Sequence, residues 1–279
     1  MKKPDFLIIG AQKAGTTWLY RNLRVHPEVF LPSETELMFF NKPDCESPSR
    51  LDQYFAHFEH ADGFKRVGEK TPGYFWSTDR ARSQTQPPRE HNPDIPGAVA
   101  RVLGKDVDLV VSFRHPVDRA ISAFGHHLKR GRLSPDARIR DVADRFGIGD
   151  IGHYAAHSRA WLAVSPRERF HAMVFETDVV DNPLRGYRGV CQFLGVDVDF
   201  CPPGIRRPRN EGLERKQDGR GIALSQEDGQ VIIDREDIEY LVSRYEGEAD
   251  ELADIWGLDL GIWKDRTSTL LGEAEPSAR

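Results

Sequence analysis

Asp5-Phe6-Leu7-Ile8-Ile9-Gly10-Ala11-Gln12-Lys13-Ala14-Gly15-Thr16-Thr17-Trp18-Leu19 decides how the rest of the chain is read. Phe6 to Ile9 is an unbroken apolar run, the pattern of a strand buried on both faces. Gly10 to Gly15 reads as a loop with small residues at its ends and middle. From Thr16 the pattern turns helical, with Trp18, Leu19 and Leu23 on one side. A strand, a glycine-bounded loop and a helix N-terminus make an anion site, because loop N–H groups point inward and the helix dipole adds positive potential. An ordinary tight turn in an α/β protein has the same outline. Lys13 and the hydroxyls of Thr16 and Thr17 favour phosphate.

Spacing says which phosphate loop this is. A nucleotide-triphosphate loop reads G-x-x-x-x-G-K-[ST]. Gly10 and Gly15 have that spacing, but Thr16 stands where the lysine belongs, and Lys13 lies inside the loop. Q-K-A-G-T-T-W-L at this place resembles the 5′-phosphosulfate loop of the PAPS-dependent sulfotransferases. Within that superfamily it looks most like the heparan-sulfate-type and bacterial sulfotransferase-domain branch. The resemblance implies that Lys13 contacts the 5′-phosphate and the transferred sulfuryl group. It implies that Ala14, Gly15, Thr16, Thr17 and Trp18 belong to the same cofactor-binding segment.

Asp108 to Phe113 is another continuous apolar run, followed by Arg114-His115-Pro116 and a helix whose core stripe is Val117, Ala120, Ile121, Phe124 and Leu128. Asp118 and Ser122 fall on a different face. An arginine at a strand's carboxyl end, with a hydroxyl on the next helix, suits a phosphate. As an isolated pair, they read equally as surface residues. V-S-F-R-H-P-V-D-R-A-I-S resembles the family's 3′-phosphate segment, R-[DN]-P-x-x-R-x-x-S, with His115 in place of the acidic or amide residue. Arg114 and Ser122 carry over as the 3′-phosphate ligands.

Thr35-Glu36-Leu37-Met38-Phe39-Phe40 resembles the family's K-E-x-x-F-F segment, which implies Glu36 as the general base. Taken alone, Glu36 reads as a surface carboxylate beside two core phenylalanines. Positioning near the attacking atom matters more than strong basicity. His26, His57, His60, His126, His127 and His153 are rival bases. Glu69-Lys70-Thr71-Pro72-Gly73-Tyr74 resembles E-K-[ST]-P-x-Y. That implies Lys70 at the sulfuryl group or acceptor and Tyr74 in the acceptor pocket; otherwise Lys70 is a snorkelling surface lysine. The basic run from Arg206 to Arg220 reads as a solvated loop or a nucleic-acid patch. In the family a late K-G-R loop closes over the cofactor. Asp218-Gly219-Arg220 lacks its lysine, so Gly219 and Arg220 carry over and Lys216 is the candidate substitute.

The chain has 279 residues, 39% hydrophobic and 30% charged, which suits one large α/β domain. Its net charge of −5 argues against nucleic acid as a partner. Cys45, Cys191 and Cys201 suggest neither a disulfide framework nor a zinc site. No apolar stretch is long enough for a membrane span, and a cytoplasmic, reduced protein is expected. Strands alternating with helices predict an α/β fold, a doubly wound parallel sheet flanked by helices. The expectation is one sulfotransferase domain over residues 1–265 and a flexible tail over 266–279.

The expected function is transfer of a sulfuryl group from PAPS, giving PAP, to a hydroxyl or amine of a small or medium acceptor. A bacterial secondary-metabolism setting, a monomer or homodimer, and no metal are also expected. Three alternatives are a small-molecule kinase, a glycosaminoglycan sulfotransferase and a non-catalytic nucleotide-binding module. Residues 41–60, 77–96 and 126–150 are the expected acceptor loops.

Overall fold

The computed structural model describes residues 2–76, 91–205, 215–218, 221–226 and 229–272. Chain packing groups the residues into two compact units. The first comprises Met1–Arg114 and Ala156–Pro208, the second His115–Ala155 and Arg209–Arg279.

The first unit is built on β1 (Phe6–Gly10), β2 (Val29–Phe30), β3 (Arg66–Lys70), β4 (Asp108–Phe113) and β5 (Phe170–Val174). They form one sheet in the order β2-β3-β1-β4-β5, and every pairing is parallel. Central β1 is apolar at every side chain because both faces are covered: Phe6, Leu7 and Ile9 are 0% exposed. Helix α1 (Thr16–Leu23) lays Trp18, Leu19 and Leu23 into a core with Phe6, Ile8 and Val110. Helix Pro183–Leu194 adds Tyr187, Val190 and Leu194 to that core. It is capped by Asn182, whose side chain accepts the Arg185 amide, and it stops at Gly195, where φ is +66°.

At the sheet's N-terminal edge Arg66 bridges strands. It donates to Asp5 and Asp108 at 2.7 Å each and to the Leu194 carbonyl at 3.0 Å. Parallel strands put all their carboxyl ends at the opposite edge. Register aligns Ile8 with Lys70 and with Val110, so the segments after β1, β3 and β4 leave from one place.

The second unit holds helix Pro116–Lys129, whose expected stripe is buried in full. It packs with Ile222, Leu224 and Ile233 from an antiparallel sheet of β6 (Arg215–Asp218), β7 (Gly221–Gln226) and β8 (Gly229–Asp234). Residues 215–218 of the basic run, read above as a solvated loop or nucleic-acid patch, are therefore strand. Two helices follow β8, Arg235–Arg244 and Glu248–Trp256, interrupted at Gly247 with φ +77°. Order also runs past 266. Helix Gly261–Leu271 buries Trp263 and Leu270, and Arg266 grips both Asp118 oxygens at 2.8 and 3.1 Å.

Candidate active site

The β1 loop is tightly built. A Cβ on Gly10 would lie 2.4 Å from Phe75 Cβ, so no larger residue fits without movement. Gly15 has φ +84° and caps α1, and a Cβ there would meet Phe175 at 2.9 Å. Both glycines that fixed the loop's spacing are therefore required by space. Ala11 N donates to the Ser112 carbonyl at 2.8 Å, which ties the loop to β4. Ala14 is fully buried and Thr16 nearly so, while Lys13 and Thr17 are partly exposed. Trp18 is mainly a core residue: its indole donates to the Ile205 carbonyl at 3.0 Å.

Arg114 leaves the end of β4 and turns back to this loop. Its Nη1 donates to the Lys13 carbonyl at 3.1 Å, and its guanidinium lies 4.8 Å from the centre of the Phe175 ring. Residues far apart in sequence thus put cationic groups and helix α1's N-terminus together. The chemistry of that donor set fits a phosphosulfate or phosphate anion.

Beside it, across the β1–β3 register, stand Glu36 and Lys70. Lys70 Nζ donates to Glu36 Oε1 at 2.8 Å, and the Glu36 amide donates to the Lys70 carbonyl at 3.0 Å. The lysine side chain is 2% exposed and the glutamate's 51%. Lys70 is therefore not a snorkelling surface lysine. Its ammonium also lies 5.8 Å from the centre of the Tyr20 ring. Glu36 and Met38 both have positive φ, +61° and +50°, an uncommon conformation for residues with side chains.

Tyr74 does not line an acceptor pocket. It is 0% exposed, and its hydroxyl accepts the amides of Phe39 at 3.0 Å and Phe40 at 3.4 Å. Glu69, also buried, accepts from Tyr54 at 3.2 Å through Oε1, while Oε2 has no regular hydrogen-bond partner. Burial pushes its carboxyl up to about 7, against the opposing pull of the nearby Tyr74 and Tyr54 hydroxyls. Glu69, Tyr54 and Phe175 escaped the sequence reading. Glu69 stood in the quoted motif, but nothing in a sequence says that a strand glutamate is sealed from water.

Of the other expected residues, Ser122, His126 and His127 are on helix Pro116–Lys129, and these and His153 belong to the second unit. On that helix Asp118 is occupied by Arg266, and His115 is bonded to Thr267 Oγ1 at 3.0 Å. Gly219 and Arg220, with most of the basic run, lie outside the described residues, as do 77–90 of the second acceptor loop. His26 is buried against the Asp197 carbonyl at 2.9 Å. His57 stands 3.6 Å from Glu34 and shares a shallow pocket with Leu37, Phe39, Lys42, Arg50 and Tyr54. This pocket adjoins the loop that carries Glu36. Among the described residues, no group of three His, Cys, Asp or Glu could hold a metal, and no helix is long and apolar enough to cross a membrane.

Comparison with known proteins gives the family. Residues 3–213 match the sulfotransferase domain family, and the chain belongs to that family, whose donor is PAPS. The heparan sulfate glucosamine 3-O-sulfotransferase 6 of Mus musculus is 32% identical over 203 residues, covering 69% of this chain and 52% of the mouse protein. The chain thus spans about half the length of the curated relatives it matches. A sulfotransferase structure from Alicyclobacillus acidocaldarius superposes with a TM-score of 0.67 at 23% identity, covering 95% of this chain and 100% of that one. A sulfotransferase domain from the curacin biosynthetic pathway gives 0.51 at 16% identity, covering 99% and 100%. At these identities the structures speak for the fold alone.

Proposed function

We propose that the chain transfers a sulfuryl group from PAPS to a hydroxyl or amine of a small or medium acceptor by in-line displacement, with Glu36 as general base. The observation that carries this reading is the 2.8 Å pair between Glu36 and Lys70, set beside the Lys13 loop at the sheet's carboxyl edge. Bound PAPS supplies the sulfuryl group. Lys70 occupies Glu36 Oε1, which leaves Oε2 to take the acceptor's proton as the new bond to sulfur forms. Lys13 and the loop amides neutralise the charge that develops on the leaving phosphate. Lys70 is placed to hold the sulfuryl oxygens. Arg114 takes the 3′-phosphate and holds the loop through the Lys13 carbonyl. Most of the rate enhancement then comes from positioning and fixed charge.

Charge around the adjoining pocket supports an uncharged acceptor. Arg50, a fixed cation of its lining, is already bonded to Asp44 at 3.0 Å. A second reading, a sulfated polysaccharide, is favoured by the names of the curated relatives. Radiolabelled transfer from PAPS to a panel of hydroxylated small molecules and to de-O-sulfated heparan sulfate separates the two. Labelled small-molecule product supports the first reading. Label in the polysaccharide alone, with retention on heparin beyond physiological salt, overturns it.

A further inference from the structure

The loop from Glu36 to Asn41 has no strand or helix of its own, yet the turn after β3 holds it along its length. Lys70's carbonyl accepts from Glu36 N at 3.0 Å, and Thr71 Oγ1 accepts from Met38 N at 3.4 Å. Tyr74's hydroxyl accepts from Phe39 N at 3.0 Å and Phe40 N at 3.4 Å, and Gly73's carbonyl accepts from the Asn41 side chain at 3.2 Å. Of these anchors, only Tyr74 holds two consecutive amides through a side chain. It is wholly buried, and its ring meets Phe40 edge-on at 5.4 Å. Phe39 stacks on Tyr54 at 4.1 Å with the rings 10° from parallel. The left-handed backbone at Glu36 and Met38 fits this picture, because such conformations persist only where surrounding contacts over-determine them.

We propose that Tyr74 is a positioning residue for Glu36: by binding the Phe39 and Phe40 amides, its hydroxyl fixes the loop that presents the carboxylate to the acceptor. The proposal rests on the reading of Glu36 as the base. Tyr74 touches no reacting atom in it. Removing the hydroxyl leaves the ring packed and orphans two buried amides, so the loop loosens just downstream of Glu36. Binding of the nucleotide, which belongs to the β1 loop and Arg114, is left alone. The signature is a loss in kcat without a loss in nucleotide affinity.

The test is Tyr74→Phe beside Glu36→Gln, assayed by PAP release from PAPS with 4-nitrophenol and with de-O-sulfated heparan sulfate as acceptors. Tyr74→Phe is expected to lower kcat about tenfold, with the KM for PAPS and calorimetric PAP affinity within twofold of wild type. Thr71→Val is expected to give a smaller loss of the same kind. Wild-type kcat in Tyr74→Phe, with Glu36→Gln inactive, overturns the proposal and leaves the base in place. Wild-type kcat in Glu36→Gln overturns the base reading and the proposal with it. A parallel fall in PAP affinity in Tyr74→Phe means a structural role only and also overturns it. Amide hydrogen exchange in the wild-type protein needs no variant. Slow exchange at Phe39 and Phe40 is expected, and exchange as fast as an open loop overturns the proposal.

Discussion

Glu36 and Lys70 are joined twice, through their side chains at 2.8 Å and from the Glu36 amide to the Lys70 carbonyl at 3.0 Å. The second contact is independent of side-chain charge. It fixes where the glutamate's backbone stands relative to the end of β3, and the first fixes where its carboxylate points. A base that must meet an acceptor oxygen within hydrogen-bond reach needs both.

Lys13→Ala is expected to lower turnover at least a hundredfold while leaving the melting temperature within about 2 °C. Lys13 is partly exposed in the β1 loop, and the effect expected of its loss is on charge stabilisation at the leaving phosphate. Thermal unfolding and PAPS turnover measured on one preparation check this. Turnover near that of wild type would remove Lys13 from the mechanism.

Arg114→Ala is expected to weaken PAP binding by about 1.5–3 kcal/mol, the worth of a hydrogen bond to a charged group. Adenosine 5′-phosphosulfate has no 3′-phosphate, so its affinity should fall less. Arg114 also donates to the Lys13 carbonyl, so some loss for both ligands is expected. Equal losses in calorimetry would restrict Arg114 to holding the loop.

Much of this site was legible in the sequence, and the reasons are local. The run Phe6–Ile9 is apolar at every position because β1 is covered on both faces, and the two glycines are required by Phe75 and Phe175. Helix Pro183–Leu194 is legible for the same kind of reason, since Pro183 and Gly195 punctuate both ends. Strand β2 was missed because two residues are too few for any period. The β6–β8 sheet was missed because basic residues crowd the run before the alternation of Ile222 and Leu224 begins. The role of Tyr74 was misread because a tyrosine after a proline turn gives no sign of which way its hydroxyl points. Only tertiary structure brings the Phe39 amide to it.

Arg66→Leu is expected to destabilise the protein by about 2–3 kcal/mol, below the 3–5 kcal/mol of a fully buried pair because Asp5 is 44% exposed. The substitution leaves Asp5 and Asp108 beside each other without their shared cation. The site is at the other edge of the sheet, so specific activity of the folded fraction should be unchanged. Urea unfolding and active-site titration check both parts, and an unchanged midpoint would show that the bridge contributes nothing.

Glu69→Gln should change how stability depends on pH. Burial raises the carboxyl from 4.5 to about 7 in the folded protein, so between those values the folded state binds a proton that the unfolded state has released. Stability from this group is greatest below about pH 4.5, falls as pH rises through the window, and is level above about 7. Glutamine is neutral throughout. The variant should therefore gain on the wild type by up to roughly 3 kcal/mol between pH 4.5 and 8, at about 1.4 kcal/mol per pKa unit. Chemical denaturation at both pH values measures it, and a pH-independent difference would mean that Glu69 stays ionised in the fold.

Transfer of radiolabelled sulfate from PAPS, followed for wild type, Lys13→Ala and Glu36→Gln across the panel of small hydroxylated acceptors and de-O-sulfated heparan sulfate, is the decisive measurement. A labelled product is expected with the wild type and at least a hundredfold loss in both variants. Glu36→Gln is expected to bind PAP as tightly as the wild type. Full transfer by Glu36→Gln, or a wild-type protein that binds neither PAP nor PAPS in calorimetry, would contradict the proposed function.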